Sequence, residues 1–108
     1  MSEFKSQLDR ATAWVDDYLG EIGERPVTPA AEPGSIRAQL PPSPPEHGEP
    51  LEAMLRDLDE VIVPGLSQWN HPRFFAWFAN TGSEPGIIAE LLVAALNVNA
   101  MTDRKSVV

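Results

Sequence analysis

The sequence predicts a mostly α-helical chain, and three observations carry that reading. Apolar residues recur at threes and fours in two separate segments, the spacing of helices that each cover one face. A later segment is apolar nearly all round, as a helix enclosed by other structure would be. Between the first two lies a stretch so rich in proline that it should run extended across a surface.

The elements follow in chain order. Ser2 can cap a first helix, in which Phe4, Leu8, Ala11, Val15, Tyr18, Leu19 and Ile22 form the apolar stripe, with Asp9, Asp16, Asp17 and Glu21 mostly off it. Gly23 and the nearby Pro26 end that helix. The strap, residues 24–50, holds eight of the eleven prolines, and within it only SIRAQ is suited to a helical turn. A second helix resumes at EPLEAMLRDLDEVIVPG, where Leu51, Met54, Leu55, Leu58 and Ile62 share a face and Pro64-Gly65 closes it. The last helix lies in SEPGIIAELLVAALNVNAM, with Ser83, Glu84 and Pro85 fitting its start. Its apolar residues Ile87, Ile88, Leu91, Leu92, Val93, Leu96 and Val98 leave little polar face, so something else must cover it.

Composition excludes several functions. A chain of 108 residues makes one small domain, too small to enclose a large active-site cavity alone. The net charge of −8 and the scattered arginines and lysines leave no basic stripe for phosphates, so neither nucleic acid nor an anionic membrane is an expected partner. The absence of cysteine removes disulfide scaffolds and thiolate metal sites, and no secretory signal pattern is visible, so a soluble cytoplasmic protein is the default. IIAELLVAAL is interrupted by Glu90 and too short to span a bilayer.

Chemistry-bearing patterns are few. There is no glycine-rich phosphate loop, no metal-spaced cluster and no Ser-His-Asp set. His47 sits in the proline-rich strap and is expected to be solvated; His71 could act as a base, although a histidine bonded to its own turn is the commoner arrangement. Asp16-Asp17 and Asp59-Glu60 fall on helix exteriors as solvated pairs.

The dense signal is WNHPRFFAWFANTGSEPG, residues 69–86, with two tryptophans and three phenylalanines in its first ten residues. Run as an extended piece, RFFAWFA would send Phe74, Ala76 and Phe78 one way and Arg73, Phe75 and Trp77 the other, making both faces apolar. Such a segment packs between two bodies. Asn80, Thr81 and Ser83 add hydrogen-bonding groups beside it. Composition alone favours core over pocket wall.

The order of these residues resembles the N-terminal segment of the group II pyridoxal-phosphate-dependent decarboxylases, of the aromatic-L-amino-acid and tyrosine decarboxylase type. The resemblance rests on ERPVTPAAEPGSIRAQLP and on VIVPGLSQWNHPRFFAWFANTGSEPGIIAELLVAALNVNAMT, and covers essentially everything up to Thr102. It implies a helical N-terminal extension, plus the first helix of the large domain of a fold-type-I (aspartate-aminotransferase-like) enzyme, truncated. On that basis residues 1–82 clasp the second subunit of a homodimer and residues 83–102 begin the large domain that binds pyridoxal 5'-phosphate (PLP).

The resemblance also implies that Trp69, Trp77, Phe78, Ala79 and Asn80 line the pocket for an amino-acid substrate. Asn99 and Met101 would reach the neighbouring subunit's pocket. The match departs where animal enzymes usually carry threonine at Asn80, tyrosine at Trp77 and phenylalanine at Met101. In such enzymes a lysine holds the cofactor, whose ring accepts the electrons left when CO₂ departs. Lys5 and Lys105 do not resemble that lysine, so the fragment alone should be inactive.

The tail DRKSVV leaves the preceding pattern abruptly. One reverse translation, GAT CGG AAG AGC GTC GTG followed by TAG, coincides with a common sequencing-library adapter, so residues 103–108 are read as adapter-derived, against a natural polar tail. Two alternatives to the aromatic decarboxylase remain. One is a stand-alone helical interaction module that grips a partner helix or a proline-rich peptide. The other is a related decarboxylase for an acid such as glutamate, against which Trp77 and Phe78 lean.

Overall fold

In the computed structural model, residues 2–77 and 82–98 are described, and among them there is no strand. Helix α1 spans Glu3–Glu21, and the Ser2 hydroxyl accepts the Lys5 N–H at 3.1 Å, which supplies the expected cap. One tighter turn, Ile22–Glu24, finishes the helix and buries Ile22. The half-buried side chains of α1 include Leu8, Ala11, Trp14, Val15, Tyr18 and Leu19, whereas Phe4 at the head of the stripe stays exposed. Trp14, outside the expected stripe, stacks on Tyr18 with centroids 5.3 Å apart.

The strap carries α2, Ser35–Gln39, and is otherwise irregular apart from isolated turns. Helix α3, Leu51–Asp57, is shorter than its apolar pattern suggests, because the winding changes towards Pro64. Proline offers no N–H to the Glu60 carbonyl and its ring crowds that carbonyl, so an α-helix cannot pass through it unchanged. The chain widens into a π turn over Leu58–Ile62, where the Val63 N–H donates to the Leu58 carbonyl, and then tightens over Val63–Gly65. Leu55 and Val63, with Ile22, form a small buried core, while Met54 points to solvent despite lying on the predicted face.

Gly65 has a packing reason to be glycine. A Cβ there would lie 2.6 Å from Cδ1 and Cγ1 of Ile36, so α2 rests directly on this backbone. Gly65→Ala must displace that side chain and should cost about 1–3 kcal/mol, read as a lowered thermal midpoint of the full-length protein. An unchanged midpoint would mean that Ile36 swings aside freely.

Helix α4, Glu84–Leu96, starts at Ser83, whose hydroxyl accepts the Gly86 N–H at 3.1 Å, and ends on left-handed Asn97. None of its side chains is buried. A groove of about 280 Å³, lined by Thr12, Val15, Leu19, Ile87 and Ile88 among others, separates it from α1. The radius of gyration is 17.0 Å, against about 13 Å for a compact domain of this length. Little is thus enclosed between the helices.

Candidate substrate-pocket wall

After Gly65 the chain turns extended at Leu66 and reaches Gln68, a buried polar residue with 3% of its surface exposed. Such a side chain is tolerated only when its groups are satisfied. Nε2 donates to the Val63 carbonyl at 3.0 Å and to the Leu66 carbonyl at 3.2 Å, while Oε1 accepts the Tyr18 hydroxyl of α1. The Gln68 N–H donates to the Val27 carbonyl of the strap at 2.8 Å. One residue therefore ties together α1, the strap and the turn after α3.

The aromatic segment starts from this anchor. The His71 N–H returns to the Gln68 carbonyl and the Phe74 N–H to the His71 carbonyl, both at 3.0 Å, so the backbone coils through two consecutive turns. His71 is buried, and its Nδ1 accepts the Arg73 N–H at 2.9 Å. This is the self-bonded turn histidine expected above; its Nδ1 is already engaged. Trp69 is half exposed and stacks on Phe74, centroids 5.5 Å apart and planes 23° from parallel.

The expected extended run holds only in part. Phe74 is half-buried and Phe75 is 88% exposed, as alternation requires, but Trp77 has φ of 62° and turns the chain out of the strand direction. Trp77 is itself 83% exposed. Of the predicted pocket residues, Trp69 and Trp77 are therefore on one exposed aromatic segment, with Trp69 paired to Phe74. Phe78, Ala79, Asn80, Asn99 and Met101, like residues 103–108, lie outside the described residues. Asn70 Oδ1 accepts the Gly82 N–H at 2.8 Å, so a side chain at the start of the segment grips its far end.

Gln68 and Asn70 were not singled out by sequence reasoning, because their partners lie 50 and 12 residues away and no local periodicity marks them. The Tyr18 side is also electrostatically defined. Burial pushes its hydroxyl above the usual value of 10.0, and the Arg25 guanidinium, 5.7 Å from the ring centroid, pulls the other way. A raised folded-state value means that the neutral hydroxyl is the form the fold favours. That contribution is complete below pH 10 and is lost as pH climbs through the raised value. In the full-length protein, difference absorbance against Tyr18→Phe isolates the tyrosinate signal of this residue. Its transition should lie above pH 10 and move further up in Arg25→Gln; a midpoint that falls in that variant would contradict the assignment.

Among the described residues no group of His, Asp or Glu converges as a metal site, and no helix is long and apolar enough to cross a membrane.

The pyridoxal-dependent decarboxylase conserved domain matches residues 33–107, and the chain belongs to that family. It is 37% identical over 94 residues to aromatic-L-amino-acid decarboxylase of Rattus norvegicus, covering 87% of this chain and 20% of that protein. To phenylacetaldehyde synthase of a Rosa hybrid cultivar it is 40% identical over 96 residues, covering 89% of this chain and 19% of the relative. Among solved structures, that of Oryza sativa TDC with PLP and tryptamine superposes with a TM-score of 0.85 at 32% identity, over 93% of this chain and 21% of that one. The chain thus spans about a fifth of the length of the curated relatives it matches.

PLP is the cofactor of the family, and the described residues do not fit its covalent attachment. Lys5, the one lysine among them, pairs with Asp9 at 2.5 Å on the outer face of α1, both side chains about half exposed. These residues therefore offer no covalent anchor for the cofactor. What they can supply is a shaped aromatic surface held by buried hydrogen bonds.

Proposed function

We propose that the chain is the N-terminal part of a PLP-dependent carboxy-lyase that acts on aromatic L-amino acids, and that its aromatic segment is part of the substrate-pocket wall. The observation that supports this most directly is the family match over residues 33–107, which takes in the whole segment. Trp69, Trp77, Phe78, Ala79 and Asn80 contact the substrate ring in this reading, and Asn99 and Met101 serve the partner subunit's pocket. Residues 1–82 clasp the second subunit of a cytoplasmic homodimer, residues 83–102 open the PLP-binding large domain, and residues 103–108 are an adapter-derived tail. Aromatic walls of this kind orient the side chain and exclude water, which keeps the bond to the carboxylate aligned for cleavage.

The test is to recover the continuation of the gene past NVNAMT, express the full-length protein with PLP and assay L-tyrosine, L-tryptophan and L-DOPA. CO₂ release from an aromatic substrate is the expected result; a stop codon at that point in genomic DNA, or activity restricted to glutamate, would defeat the proposal. A second reading is favoured by the relatives' names. Phenylacetaldehyde synthase and the 4-hydroxyphenylacetaldehyde synthase of Rhodiola rosea match as well as the decarboxylases do. The same assay should therefore score aldehyde alongside amine; aldehyde as the main product selects the second reading.

A further inference from the structure

Trp69 poses a positional problem. Its ring is half exposed and rests on Phe74, so packing around the side chain does little to fix it. Its backbone, in contrast, follows directly on Gln68, whose side chain makes three hydrogen bonds. Gln68 is anchored on Val27, Val63 and Leu66 through main-chain groups and on Tyr18 through a hydroxyl, and its own carbonyl closes the turn to His71 that contains Trp69.

We propose that Gln68 and Tyr18 form a positioning pair for Trp69, by which α1 sets the placement of the aromatic wall and with it the affinity for aromatic substrates. The inference rests on the reading of Trp69 as a pocket residue. The chemistry requires glutamine in particular. The acceptor oxygen meets the Tyr18 hydroxyl while the amide nitrogen donates to two carbonyls; an ionised glutamate would offer no donor, and a methionine of similar length no donor and only a weak sulfur acceptor. Tyr18 is held in turn by the stack on Trp14 and by Arg25 over its ring. A chain of contacts therefore runs from α1 to Gln68 and along the backbone to Trp69, which in the pocket reading is its one residue to touch substrate.

The experiment uses the full-length PLP-loaded enzyme with L-tryptophan and L-tyrosine as probes. Tyr18→Phe removes a single oxygen and should raise KM by about 3–10-fold, with kcat and PLP content changed by less than about twofold. Gln68→Met should raise KM at least as much. Trp69→Ala should raise KM more than either, and adding Tyr18→Phe to it should change KM no further, because the ring being positioned is already gone. Additive effects in that double variant, or parallel losses of PLP content, kcat and thermal midpoint in Tyr18→Phe, would reduce the pair to a structural role and overturn the proposal. An unchanged KM in Tyr18→Phe beside a raised one in Trp69→Ala would sink the pair and leave the pocket reading standing. An unchanged KM in Trp69→Ala removes the pocket reading and this proposal with it. Should Gln68→Met prove insoluble, Tyr18→Phe alone decides.

Discussion

Trp77→Ala in the full-length enzyme is expected to raise KM for aromatic amino acids by about 10–100-fold while PLP binding changes little, the scale of losing one buried indole from a binding surface. The indole is 83% exposed in this chain, so the fold described here spends almost no packing on it. A large exposed aromatic on a segment bent by φ of 62° is doubly unfavourable in the free chain. The left-handed region costs a residue with a Cβ about 1–2 kcal/mol, and glycine nothing. Such strain is retained at functional sites, where the side chain's task outweighs the backbone's preference. Trp77→Gly separates the two. It should leave the thermal midpoint equal or higher, because the backbone strain is relieved, and should lose substrate affinity as Trp77→Ala does. A drop in midpoint together with equal losses of PLP and substrate binding would place Trp77 in a structural role instead.

The helical character, the caps at Ser2 and Ser83, the short helix at SIRAQ and the all-round apolar α4 were legible because each depends on neighbours within a turn or two. What escaped depends on distance or on backbone geometry. Pro64 signals the end of a helix but not that the approach to it widens into a π turn. The bend at Trp77 contradicts the preference of a bulky side chain, so no propensity could announce it. The bond from Tyr18 to Gln68 joins residues 50 apart, and glutamine carries no pattern of its own. The aromatic segment itself was conspicuous from composition, yet its division into a stacked Trp69–Phe74 pair and outward Phe75 and Trp77 required the turns at His71.

Expressed alone, the 108-residue chain is expected to lack a cooperative monomeric unfolding transition. A compact monomer of 11.8 kDa exposes about 5,900 Å², whereas this chain exposes 9192 Å². The excess, about 3,300 Å², is roughly four times what one partner buries in a standard protein–protein contact. A peptide or single helix docked on a free-standing module covers far less, so that module reading is not favoured. In the reading proposed above, the large domain and the second subunit would bury this area together. On α4, Ile88, Leu92 and Leu96 are 59%, 57% and 70% exposed. Sedimentation should show association, and calorimetry a broad or missing transition; a sharply melting monomer would revive the module. The sign of a surface substitution then depends on context. Ile88→Ser with Leu92→Ser should make the isolated chain more soluble and less associated. The same pair in the full-length enzyme should destabilise it by several kcal/mol, because the hydroxyls would sit where apolar contacts are lost. Equal tolerance in both settings would mean that α4 remains solvent-facing in the complete protein.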